Sequence, residues 1–179
     1  TLGRAQTAGT ATQFSRHATL LTAHTPGDND VVQAAAAEDR LVRALQQGGM
    51  LVLTVHPRIA RHAEAELLHR FGTPGVSPAP LLRVNFDALL LAALRDQAKT
   101  AGVDWNVVLQ ADAADRGSRH WINLQRLVQR TLPALRSALL FSPAPVLLVS
   151  AGLLARYDLM GLITELEENA GHPAHTHSV

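Results

Sequence analysis

The chain has 179 residues, 47% hydrophobic and 17% charged, with 16 basic residues against 15 acidic ones. That length supports one domain with its own core, and a net charge of +1 argues neither for nor against nucleic acid, since a phosphate-binding face needs clustered basic charge. Without cysteine there are no disulfides, thiolate nucleophiles or thiolate metal sites, and no apolar run reaches the roughly 18 residues of a membrane span, so a reducing, cytoplasmic setting is expected.

Residues 1–29 read as a linker or flexible arm. Turn residues surround one weak apolar patch, Ala18 to Leu21, with at most one helical turn after Ser15. Asp30 then caps a helix over Val31 to Gln47, with Val32, Ala35, Ala36, Leu41 and Leu45 at helical spacing and Gly48-Gly49 as its stop. Met50 to Val55 is a continuous apolar run, read as a strand buried on both faces. His56 and Pro57 end it, and Pro57 suits the first position of a helix running to Phe71. Three prolines and a glycine make Thr73 to Pro80 a loop, and Leu81 to Val84 is a short strand. A helix follows from Asn85 or Asp87, with Phe86, Leu89, Leu90, Ala93, Leu94 and Ala98 inward.

Val103 to Ala114 fits a helix capped by Asp104 better than a strand ending in an acidic loop. Ser118 caps a long helix bearing Trp121, Leu124, Leu127 and Val128, which Pro133 kinks or restarts. Val146 to Val149 is the last strand, and Ser150-Ala151-Gly152 turns the chain into an amphipathic helix. Strand, tight turn and helix recur, so residues 30–171 read as a single α/β domain. Helices cover a small, mostly parallel β-sheet, with a helical excursion between the second and third strands. Residues 172–179 read as an unstructured cut end, and the start at Thr1 as the edge of a piece of something longer.

No phosphate loop, G-x-G-x-x-G, G-x-S-x-G elbow or H-E-x-x-H helix is present, nor the kinase set of glycine-rich loop, H-R-D and D-F-G. Open parallel sheets place ligands beyond the carboxyl ends of their strands, which selects two turns. One is His56-Pro57-Arg58, a titratable group beside a cation. The other is Ser150-Ala151-Gly152, a hydroxyl with backbone amides able to receive an anion. His56, Arg58, Ser150 and Gly152 are therefore the ligand-binding candidates, although such turns are also routine connections. Asp112 and Asp115 would imitate a magnesium-holding loop only if their segment were a strand; otherwise they form an acidic turn. His62 and His69 are too far apart to share a metal, and His172, His175 and His177 lie on the tail, so no metal site or catalytic residue is assigned. Trp105 and Trp121 fall on apolar faces as packing anchors, and Arg126, Arg130 and Arg136 could form a basic stripe.

Four segments together carry a resemblance: LVLTVHPR with its helix, GVDWNVVLQADA, GSRHWINLQRLV and APVLLVSAGLLARYDLMGLITELEENAG. The pattern from about Leu41 to His172 resembles the C-terminal region of large bacterial serine/threonine kinases of phage-resistance islands. These are the PglW type of the phage growth limitation (BREX type 2) systems. The resemblance implies a non-catalytic accessory, regulatory or interaction domain. The kinase domain, with its ATP and magnesium, would lie elsewhere in the parent, and this piece would need no cofactor of its own. The implied partners are the rest of the parent polypeptide and other phage-defence proteins, with no membrane and no direct nucleic-acid contact. Two alternatives stand beside this. One is a nucleotide- or phosphate-binding, degenerate ATPase-like domain without a phosphate loop. The other is a nucleic-acid contact through Arg126 and Arg130.

Overall fold

The computed structural model describes residues 18–22, 30–72 and 80–170. In chain order the elements are β1 (Ala18–Thr22), α1 (Asp30–Gln47), β2 (Met50–Thr54), α2 (Ala60–Phe71), β3 (Leu82–Asn85) and α3 (Phe86–Thr100). They continue through α4 (Trp105–Ala113), α5 (Arg119–Gln129), α6 (Leu132–Leu140), β4 (Val146–Val149), α7 (Gly152–Arg156) and α8 (Met160–Ala170). The fold is α/β with parallel strand pairing, and α4 to α6 form the helical excursion ahead of the last strand. Among the described residues no helix is long and apolar enough to cross a membrane. The expected tail after His172 and most of the expected arm lie outside the described residues.

The strands form two parallel ladders instead of one sheet. β1 runs beside β2 with Leu20 opposite Val52, and β3 runs beside β4 with Val84 opposite Leu148. The patch Ala18 to Leu21, read above as part of the arm, is therefore a strand. Its Thr-Leu-Leu-Thr core suits a pleated edge, and the neighbouring apolar run of β2 supplies the ladder that a five-residue segment cannot provide for itself.

The core gathers on a helix. Phe86, Leu90, Leu94 and Ala98 recur every fourth residue along α3, each at most 2% exposed. Around that stripe pack Val108 of α4, Leu124 and Val128 of α5, Leu135 and Leu139 of α6, and Leu154, Tyr157 and Leu162 near the C-terminal end. Only one face of β4 reaches this core, through Val146 and Leu148.

Local chemistry fixes the helix starts. Asn85 accepts a hydrogen bond from the Ala88 amide (2.9 Å), Asp104 from the Asn106 amide (2.7 Å) and Ser118 from the Trp121 amide (3.2 Å). The ambiguous segment 103–114 is accordingly helical. Pro133 lies in the first turn of α6, where its missing N–H is harmless, so it restarts the helix. Pro57 instead sits in a turn before α2, where the Ile59 amide donates to the His56 carbonyl (3.0 Å) and the helix begins at Ala60. The C-terminal amphipathic run is two helices, because Asp158 takes a left-handed backbone (φ 56°) between α7 and α8. Gly48, which ends α1 at φ 74°, leaves only 2.9 Å between a would-be Cβ and the Ala170 carbonyl, so both conformation and space require glycine.

Candidate functional site

Because the two ladders share no hydrogen bonds among the described residues, a cleft of about 1710 Å³ opens between them. β2 and β4 face it, Ala63 and Leu67 of α2 and Ile163 and Leu166 of α8 wall it, and Arg40, Arg61 and Arg83 stand at its borders. Arg83 pairs with Glu64, which ties α2 to β3. The Leu81 amide donating to the Phe71 carbonyl (2.9 Å) adds a backbone link at the same place.

The strand-end turns sit differently with respect to this cleft. Ser150 lines it together with Ala151, whereas His56, Arg58 and Gly152 are not among its walls. His56 and Arg58 are exposed, and the His56 Nδ1 accepts a hydrogen bond from the Arg58 amide (3.2 Å), a local turn contact. At the other turn, Ser150 is held left-handed (φ 54°) and its carbonyl accepts from the Asp87 amide (3.0 Å). The Asp87 carboxylate then accepts from the Leu153 amide (2.9 Å), and its second oxygen lies against Gly152. The amide next after the candidate turn, that of Leu153, thus already holds an internal carboxylate. That carboxylate also favours the start of α7 electrostatically.

A second cluster gathers around Asp112, which the sequence offers only as part of an acidic turn and which lies inside α4. The Asp112 Oδ1, on α4, accepts from Arg156 Nε (2.8 Å) and from the Tyr157 hydroxyl (2.9 Å), while Arg156 also donates to the Asp112 carbonyl (2.9 Å). Tyr157 stacks on Trp121 with ring centroids 6.0 Å apart, and the guanidinium groups of Arg116 and Arg156 lie within cation–π range of that indole. Burial pushes the Tyr157 hydroxyl up to about 12, helped by the Asp112 carboxylate that its proton serves, while Arg156 partly opposes. The Arg156 pKa is raised in turn, chiefly by its hydrogen bond to Asp112. Tyr157 therefore keeps its proton at neutral pH and works as a hydrogen-bond donor. The Asp112 carboxylate is committed to it and to Arg156. Among the described residues, no group of three His, Asp or Glu side chains could hold a metal ion.

A smaller groove of about 390 Å³ runs between α4 and α5. Val103, Val107, Val108, Leu124 and Leu127 line it, with His120, Arg126 and Arg130 at its border. The arginine stripe expected on this long helical stretch divides here. Arg126 and Arg130 remain at the groove, whereas Arg136, on α6, donates to Glu165 of α8 (2.7 Å). Spacing alone could not reveal either this groove or the Asp112 cluster, since each depends on how α4 packs against its neighbours.

Among known proteins, the chain is 33% identical over 153 residues to the Probable kinase PglW of Streptomyces coelicolor, a match covering 80% of this chain and 9% of that protein. The likeness to a PglW-type protein implied by the four segments is thereby shown. No family model matches, and no solved structure matches.

Proposed function

We propose that this chain is a non-catalytic accessory or interaction domain of a phage-defence serine/threonine kinase, with phosphoryl transfer carried out elsewhere in the parent. The similarity to the Probable kinase PglW carries this reading, since it runs through most of this chain and only 9% of the relative. The sequence supports it by lacking the glycine-rich loop, H-R-D and D-F-G residues that hold ATP and magnesium in such kinases. The Asp87 carboxylate at the Leu153 amide further supports recognition over phosphate binding, because an anion brought to that turn would meet like charge.

The experiment has two arms. Thermal unfolding of the chain is followed with ATP, ADP and GTP in the presence of magnesium, and its association with the remainder of the parent polypeptide is measured by calorimetry. No shift in midpoint at about 1 mM nucleotide, together with saturable binding to the parent, is the expected result. A saturable rise in the midpoint would replace this reading with the nucleotide-binding one. Phosphate transfer by the chain alone would overturn it outright.

A further inference from the structure

The geometry points to the groove between α4 and α5 as the docking site for an acidic amphipathic helix. This inference rests on the interaction-domain reading and gives that domain a surface. Val107, on the nine-residue α4, is 49% exposed, and Val103 just before it is 36% exposed. Both line the groove beside the buried Val108, Leu124 and Leu127, so an apolar strip continues from the core to the surface with no covering element among the described residues.

The charge at the border is one-sided. Arg126 on α5 and Arg130 just past its end stand one turn apart with His120 along the same groove, and among the described residues no acidic side chain lines it. Arg70, Arg83, Arg136 and Arg156 each hold a carboxylate, whereas neither Arg126 nor Arg130 has an ion pair among the described residues. An occupant that seats apolar side chains on the strip and carboxylates at the border would satisfy both halves of the surface.

The shape selects a helix. With 11 residues at 1.5 Å per residue, α5 is about 16 Å long, and a third helix lying along it could place anchors at i, i+3 or i+4, and i+7. Among the described residues no strand edge borders the groove, so an added strand would find no ladder partner there. A nucleic-acid backbone would leave the valine strip uncovered and meet only two arginines.

The test uses the whole chain and a fluorescent synthetic helix of about 18 residues, with leucines at i, i+3, i+4 and i+7 and glutamates flanking them. A matched peptide carries lysine in place of each glutamate. Fluorescence anisotropy is expected to show saturable binding of the acidic peptide, about tenfold or more tighter than the basic one. Val107→Asp should abolish that binding, and Arg126→Glu with Arg130→Glu should reverse the preference between the peptides. Both changes fall on exposed positions, and unchanged melting curves establish that the variants fold.

No saturable binding of the acidic peptide by about 1 mM would overturn the inference, as would equal affinity for both peptides. Indifference of the binding to both variants would overturn it as well. Concentration-dependent dimerisation abolished by Val107→Asp would assign the groove to a second copy and overturn it too. If the variants still bind the remainder of the parent normally, the groove assignment falls and the interaction domain stands. If the unaltered chain binds no part of the parent, the domain reading itself falls.

Discussion

Tyr157 allows the Asp112 cluster to be tested with one proton. It is the only tyrosine of the chain, so the ultraviolet absorbance of tyrosinate reports its titration directly. Folded, it holds its proton to about pH 12, whereas the unfolded chain releases it near the ordinary value of about 10. Between those values the unfolded state binds fewer protons, so the free energy of unfolding falls as pH rises. The contribution is fully present below about pH 10 and is lost as pH passes through about 12. Two pKa units correspond to at most about 2.7 kcal/mol, which solvent screening reduces because the Asp112 and Arg156 side chains are 32% and 40% exposed. Tyr157→Phe removes the titrating hydroxyl while keeping the ring that stacks on Trp121. Urea unfolding across the alkaline range should therefore show the wild-type advantage shrinking by about 1–2 kcal/mol from neutral pH to above pH 12. A folded-state absorbance midpoint near pH 10 would refute the reasoning. Parallel stability curves for the two proteins would refute it equally.

Replacing Asp87 with Ala should cost about 1–3 kcal/mol in urea unfolding, because the half-buried Leu153 amide loses a charge-assisted partner joining α3 to α7. Leu90→Ala empties a site that is 0% exposed at the centre of α3 and should cost about 2–5 kcal/mol, read by the same unfolding curves as a fall in midpoint with little change in slope.

The sequence made the local physics legible and left the long-range pairing hidden. Asn85, Asp104 and Ser118 each bear a side-chain acceptor within two or three residues of the amide it caps, so those helix starts follow from short-range chemistry. The fourfold repeat of Phe86, Leu90, Leu94 and Ala98 likewise announces a core face, although not that this helix is the centre of the core. Strand partners are another matter. Nothing within Thr-Leu-Leu-Thr says that β2 lies beside it, and nothing in Val146 to Val149 says that its partner is β3 and not β2. The candidate turns were visible as strand ends, but the Asp87 carboxylate that reaches Leu153 comes from 66 residues away. Asp112 could be marked as a carboxylate in an uncertain segment. Its partners, Arg156 and Tyr157, lie 44 and 45 residues on, beyond the reach of any spacing argument.

The seam between the two ladders divides the molecule's cooperativity. The β1–β2 ladder with α1 and α2 can separate from the rest without breaking a rung of the β3–β4 ladder or exposing the stripe of α3. Separation costs the cleft contacts, the Arg83–Glu64 pair and the backbone link at Leu81. Because few links cross it, opening there is expected below global unfolding in free energy, with β2 in one foldon and the helices around α3 in another, and amide hydrogen exchange should then be faster in β2 than in α3. A partner seated between α4 and α5 would brace the second foldon directly and reach the first only through the few links that cross the seam.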